Sequence, residues 1–352
     1  MESPPPIHGR GTSANPANRF DRIEVEYDPN EFDPDAPAPK TEFFWDDSKS
    51  ILATNKSPDI PFNFSINPYR GCEHGCIYCF ARPFHEFLGY SSGLDFETKI
   101  HVKRNGPELL RREFMKKSWE PQVVSISGVT DPYQPVEARL KVTRGLLEVF
   151  AEFRNPVGLI TKNALVTRDI DLLSGLARHG AASVAVSITT LDESIARIME
   201  PRTSTIAKRF EAVKRLTDAG VNVAVMLAPI IPGLTDNDIP GLVERAAANG
   251  AKRVALLPVR LPREVAPMFE TWLSDHFPGH KDKVLNRIRE MRGGELNDAR
   301  YGKRMKGEGK RAEHLHGLFS LAVHKHGMNV ERFEYNAGAF RRPGATKKLF
   351  EI

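Results

Sequence analysis

The sequence predicts an α/β protein of parallel strands, with an extended N-terminal arm and a mostly helical C-terminal extension. Three observations lead there. From about Pro61 to Pro262, short β-branched runs alternate with segments of 3.6-residue apolar spacing. The first forty residues hold eight of the chain's 26 prolines and show no apolar period. Beyond Pro262 the alternation stops.

Residues 1–60 form the arm. Such a segment buries too little apolar surface to offset its ordering entropy, so it is expected to be extended and partly disordered. Phe43, Phe44 and Trp45 are the aromatic anchors expected to pin it to the core. Residues 61–262 form that core. Its strand candidates are Phe62–Asn67, Gln122–Ser127, Val157–Thr161, Ser183–Thr189, Asn222–Ala228 and Arg253–Leu257. Helical stripes lie between them: Val142, Leu146, Val149 and Phe153; Ile170, Leu173 and Ala177; Ile206, Phe210, Val213 and Leu216; Ile239, Leu242 and Ala246. Six β-then-α units in series require parallel strands with right-handed crossovers. Order alone fits a doubly wound sheet and a whole or partial barrel equally. In each, ligands gather at the carboxyl ends of the strands.

Residues 263–352 form the extension, with Trp272, a helical stretch Lys283–Met291 and a Gly- and Lys/Arg-rich piece, Arg292–Arg311. Lys281–Arg311 carries eleven Lys/Arg against five Asp/Glu, so the basic charge is concentrated here. Two readings stand: a solvated surface, or a flap with Lys303, Arg304 and Lys306 facing substrate phosphates.

Composition narrows the class. Hydrophobic content of 40% and charged content of 27% are those of a soluble globular chain. No run approaches the ~18 apolar residues of a membrane span, and Met1–Phe20 lacks the apolar stretch of a secretory signal. Three cysteines are too few for a disulfide scaffold, so a cytoplasmic, reducing location is expected. A net charge of +5 does not by itself identify a nucleic-acid binder. The histidines are dispersed, and the pairs His314/His316 and His324/His326 are spaced too closely to share a helix face.

All three cysteines fall in Cys72-Glu73-His74-Gly75-Cys76-Ile77-Tyr78-Cys79, just after the first strand candidate. Gly71 and Gly75 allow the tight wrap that turns three sulfurs toward one centre. Soft thiolates suit zinc or an iron–sulfur cluster. Zinc would require a fourth ligand, His74 or His85 being the nearest, and no second Cys/His pair with finger spacing exists. A cubane on three thiolates would leave one iron free for a small chelating ligand. The alternative to an enzyme is therefore a zinc-stabilised, non-catalytic nucleic-acid-binding protein.

The C-x3-C-x2-C pattern with an aromatic before its last cysteine resembles the signature of the radical SAM superfamily. Ser127-Gly128-Val129-Thr130-Asp131-Pro132-Tyr133-Gln134-Pro135-Val136-Glu137 is similar to a T-D-x-Y-Q-P-x-E stretch of its spore photoproduct lyase-like branch, described as DNA-repair-photolyase-like. The resemblance implies a partial (β/α)6 TIM-type barrel. It also implies a 4Fe–4S cluster on Cys72, Cys76 and Cys79, with S-adenosylmethionine (SAM) chelating the open iron. Reductive cleavage of SAM would release a 5′-deoxyadenosyl radical, drawing electrons from a reductant such as flavodoxin or ferredoxin. By the same resemblance, the loop with Gly128, Thr130 and Asp131 receives the methionyl amine and Lys162 reaches the carboxylate. Ser187 and Thr189 resemble the superfamily's ribose-binding positions, and Tyr78 would pack near the adenine; Arg202, whose planar fork suits a carboxylate, is expected as a second carboxylate partner. The resemblance would also set the turns Pro229–Gly233 and Pro258–Arg260 beside the adenine. Spore photoproduct lyase uses a further cysteine as hydrogen donor, and this chain has none outside the motif. The substrate is thus open, nucleic acid being one possibility and a protein or small metabolite another.

Overall fold

The computed structural model describes residues 6–21 and 39–344. The disorder expected of the arm falls partly on residues 1–5 and 22–38, outside the described residues. The chain begins with β1 (Glu42–Trp45), β2 (Leu52–Thr54), β3 (Phe64–Ile66) and β4 (Tyr69–Arg70). Next come α1 (Asp95–Thr98), β5 (Lys99–Val102), α2 (Gly106–Met115), β6 (Val124–Ile126), α3 (Glu137–Leu140) and α4 (Val142–Phe153). The repeating part continues as β7 (Val157–Thr161), α5 (Ile170–Ala177), β8 (Ala182–Ser187), α6 (Glu193–Met199), α7 (Ile206–Asp218), β9 (Asn222–Ile230), α8 (Ile239–Ala248) and β10 (Arg253–Pro258). Helices α9 (Val265–His276), α10 (Lys281–Met291), α11 (Lys303–Lys306) and α12 (Gly309–Lys325) complete it.

The six expected strands are β3, β6, β7, β8, β9 and β10. They lie side by side in that order and all parallel, with β2 antiparallel on the outer edge of β3. Every strand neighbours its predecessor, so the reversal that divides a doubly wound sheet is absent among the described residues. This is barrel order, opened between β10 and β2. A period of two runs along the strands. Val184, Val186, Val223, Val225 and Leu227 are fully buried against helices. Ala185, Ala224, Met226 and Ala255 face the other way and stay half-buried, so the concave side keeps space.

The connections explain the regular spacing. Helices α5, α7 and α8 each end in the same two-bond C-cap, as in Gly220 N–H to the Thr217 carbonyl (2.9 Å) and Val221 N–H to the Leu216 carbonyl (3.0 Å). The next strand starts one or two residues after each cap. At the amino-terminal edge of the strands the C-terminal tail closes the barrel. The Tyr335 hydroxyl meets the Ser183 hydroxyl beneath Gly158, where a Cβ would fall 2.8 Å from the tyrosine oxygen. Arg341 donates to the Glu152 carbonyl (3.0 Å) and Arg342 to the Lys116 carbonyl (2.8 Å), satisfying helix C-termini.

A second sheet, β1-β5-β4, was not legible from period. It carries the arm's anchors: Phe44 stacks on His101 at 5.1 Å, while Trp45 remains 53% exposed beneath Arg104. Phe43 packs half-buried against the cluster of Tyr69, Ile100 and Val102, so two of the three aromatics do the pinning. Helices α9 and α10 pack Val265, Phe269, Trp272 and Ile288 against Ile77, Tyr78 and Met199, which roofs the cysteine loop. No helix among the described residues is long and apolar enough to cross a membrane.

Candidate functional site

The cysteine loop leaves β4 through Gly71 (φ +80°) and turns again at Gly75 (φ +64°). Its backbone is tied on every side. Cys72 N–H donates to the Phe96 carbonyl (2.8 Å) and Ile77 N–H to the Met199 carbonyl (3.2 Å). Arg82, fully buried, acts as a staple: it donates to the carbonyls of Cys76 (3.1 Å), Gly75 (3.1 Å) and Gly93 (3.0 Å), and pairs with Glu97 at 2.6 Å. The other Glu97 oxygen accepts the Gly11 N–H (3.0 Å), so the described part of the arm lies directly on the loop.

Three strand ends meet this loop. After β6, the Thr130 hydroxyl donates to the Gly71 carbonyl (2.7 Å), and the Gln134 side chain accepts from Glu73 N–H (2.9 Å). Asp131 accepts from the Thr161 hydroxyl (2.7 Å), Tyr133 N–H (2.8 Å) and Lys162 N–H (2.8 Å), and faces His74 Nδ1 at 3.3 Å. Burial opposes its charge, but these partners win and hold the carboxyl below its ordinary range. After β7, Lys162 Nζ donates to the Ala228 carbonyl (3.1 Å) and lies 5.8 Å from the centroid of Tyr78. After β8, Thr189 donates to buried Glu200 (3.1 Å), which caps the end of α6, also accepts from the Tyr78 hydroxyl and pairs with Arg209 at 2.6 Å. Burial opposes the Glu200 charge, yet Arg209 and Lys162 keep it below the usual value.

The expected residues thus fall into three groups. Tyr78, Lys162 and Thr189 converge around Glu200, next to Cys76. Thr130 and Asp131 buttress the loop from the β6 side, with Gly128 exposed at the tip. Arg202 turns to Glu73 (3.1 Å) and Thr41, and so braces the loop from outside. The Ser187 carbonyl, rather than its hydroxyl, is engaged, by Arg209 (3.1 Å). Farther out, Lys303 pairs with Glu308 and Arg304 with Asp59, both at 2.5 Å, while Lys306 is exposed.

Sequence reasoning missed Glu200, Arg209, Arg82 and Glu97. Their spacing carries no signal because each acts across the fold. Glu200 alone had a local cue, its place beside Pro201 and Arg202 at the end of a strand unit.

The thiol set suits a cationic soft centre. Cys72 and Cys76 are buried and Cys79 partly so. Burial pushes all three thiols up, with Asp131 adding to the effect at Cys72 and Glu200 at Cys76. Thiolates here need positive charge, which a metal centre brings as it displaces the protons. Among the described residues no three Cys, His, Asp or Glu side chains converge so as to hold a metal ion. A cubane differs from a single ion in distributing its thiolates over separate irons.

A family model described as the radical SAM superfamily matches residues 66–246, which hold the loop and four of the six parallel strands, β6 to β9. The chain belongs to the radical SAM superfamily. An uncharacterized Mycobacterium tuberculosis protein is 36% identical over 244 residues, covering 68% of this chain and 71% of that one. A radical SAM Nalpha-GlyT isomerase of Pseudomonas phage M6 is 27% identical over 62% of this chain and 44% of its own length. Among solved structures, spore photoproduct lyase complexed with dinucleoside spore photoproduct superposes with a TM-score of 0.58 at 15% identity, over 80% of this chain and 79% of that one. At that identity the likeness is one of fold, the partial TIM barrel. Membership supports SAM cleavage as the chemistry of this enzyme and implies a 4Fe–4S cluster and SAM as its cofactors.

Proposed function

We propose that Cys72, Cys76 and Cys79 hold a 4Fe–4S cluster, that SAM occupies the iron they leave open, and that the substrate is a nucleic acid. With both cofactors bound, an electron from a flavodoxin- or ferredoxin-like reductant cleaves the sulfonium and supplies a 5′-deoxyadenosyl radical for hydrogen abstraction. The observation that carries this is a loop with three thiols, two buried and one half-buried, stapled at the mouth of a six-strand barrel by Arg82.

The chain's own residues bind and orient. Lys162 is the cation for the methionyl carboxylate: it reaches the barrel mouth from β7 and has no carboxylate in salt-bridge contact among the described residues. Gly128 and Thr130 present backbone acceptors to the amine, while Asp131 fixes the Lys162 backbone. Ser187 and Thr189 face the ribose, and Tyr78, held by Glu200, borders the adenine. Arg202 keeps the loop in register through Glu73 rather than meeting the cofactor. The nucleic-acid part rests on the dinucleoside carried by the fold neighbour. With no cysteine outside the loop, the hydrogen donor is a different kind of group from a thiol of this chain.

The test is anaerobic reconstitution. Wild-type protein should turn brown, contain about four irons and about four sulfides, and release 5′-deoxyadenosine under reduction. Cys76→Ala should lose all three while keeping its circular dichroism. Zinc without iron in the wild type, or 5′-deoxyadenosine from the variant, would overturn the assignment.

A further inference from the structure

Arg260 emerges just past β10 at the barrel mouth. Its guanidinium carbon lies 4.3 Å from the ring centroid of Phe80, the residue after Cys79. Among the described residues no carboxylate or carbonyl hydrogen-bonds to it. Two more guanidiniums stand close enough to repel it. Arg292, 2% exposed, donates to four neutral carbonyls: Pro258 (3.1 Å), Val259 (2.8 Å), Lys303 (3.1 Å) and Arg304 (2.9 Å). Its Nε has no partner. Burial first, and Arg260 next, bring Arg292 down to about 10. Arg304 in turn acts on Arg260.

Carboxylates do not balance this group. Asp59 is chelated by Arg304 at 2.5 and 2.8 Å. Asp298, which faces Arg292, is chelated by Arg300 at 2.6 and 3.0 Å. Among the described residues these three guanidiniums therefore have one carboxylate in hydrogen-bond contact, Asp59, which acts on Arg260 only from beyond hydrogen-bond reach. Clustered cations with so little compensation are unfavourable until an anion arrives. Two exposed rings flank them: Phe80 (39% exposed) and Tyr301 (60% exposed), the latter 4.9 Å from the Arg304 guanidinium carbon.

Guanidiniums for phosphate and exposed rings for bases are the two elements of a single-strand nucleic-acid seat. We propose that Arg260, backed by Arg292 and Arg304, holds a phosphodiester of the substrate strand, and that Phe80 and Tyr301 stack the bases on either side. This rests on the nucleic-acid reading above and gives that substrate an address beside Cys79. Arg260 makes the phosphate contact because Lys303 and Arg304 are already paired.

The experiment uses the full chain, reconstituted anaerobically, and a fluorescein-labelled single-stranded oligonucleotide followed by anisotropy across a salt series. Arg260→Gln should weaken binding about tenfold and lower the salt slope by about 0.7, since one phosphate is no longer neutralised. Tyr301→Ala should weaken it about fivefold or more with the slope unchanged. Lys214→Gln, on α7, should match wild type. Unchanged affinity in both Arg260→Gln and Tyr301→Ala overturns the proposal. So does a loss of SAM binding in Arg260→Gln with oligonucleotide binding intact, which would assign the cation to the cofactor carboxylate. If Arg260→Gln fails to fold, the exposed Tyr301 still decides. Oligonucleotide binding that is insensitive to both substitutions refutes this seat alone; active protein that binds no oligonucleotide refutes the nucleic-acid substrate together with the seat; protein without iron refutes the enzyme reading.

Discussion

His85 shows how a single side chain can be read wrongly from composition and correctly from packing. By residue type it is, with His74, a candidate fourth ligand for a zinc ion on the thiolates. In the fold it stacks on Tyr90 at 5.2 Å, meets Phe96 edge-on at 5.7 Å, and fills the space behind Gly71. Its Nε2 is buried without a partner. Burial lowers its pKa to about 4. The unfolded imidazole titrates near ~6.5, so below that pH the unfolded chain takes up a proton that the folded chain refuses. Stability therefore falls as pH drops through the window from about 6.5 to about 4. Between about pH 7 and about pH 5 the loss should be roughly 2 kcal/mol. His85→Leu should flatten that slope in urea titrations at the two pH values; an unchanged slope would show that His85 is not the titrating group.

At the scale of the element, the cysteine loop has little regular structure and many fastenings. Arg82 and Glu97 hold it from below, Met199 from α6, and the arm from outside. A Cβ at Gly11 would fall 1.6 Å from the Gly75 carbonyl oxygen, so only glycine allows the arm to lie so close. Asn18 and Arg19 continue that contact on the Glu86 side, through the Glu86 carbonyl (2.9 Å) and carboxylate (2.5 Å). Gly11→Val should lift this segment off the loop. Trypsin should then cut at Arg10 and Arg19 about tenfold faster than in wild type, because cleavage follows local opening. Equal rates would mean that the segment is held elsewhere.

Over the whole molecule, the extension and the core share one interior. Met291, Ala312, Leu315, Ala322 and Met328 belong to the same buried cluster as the strands and helices α4–α8. Asn329 bonds both ways with Val254 (2.8 and 3.0 Å), and Arg342 reaches the end of α2. We therefore expect residues 1–262 not to fold alone, although alternation stops there. That fragment should bind a hydrophobic dye and lose its sharp unfolding transition, while the full chain unfolds in one step. A soluble, cooperatively melting fragment would establish the boundary as a true domain limit.

Much was legible in the residue order because it is local physics. Strand β7 was located to the residue and the other five within a few residues at either end, since β-branched runs and the C-capping glycines between them mark the limits. Three cysteines within eight residues carried the resemblance to the radical SAM superfamily, and the serial βα units required parallel strands. Tertiary structure alone decided the rest. The cysteine motif implied a barrel only by family resemblance; in physical terms barrel order over doubly wound order depends on which strands are neighbours, and the β1-β5-β4 sheet joins segments too short to show a period. Glu200 with Arg209, Arg82 with Glu97, and Arg260 against Phe80 are matched by burial and charge across the fold. Such pairings have no spacing in the chain, because the energy that selects them exists only once the elements have packed.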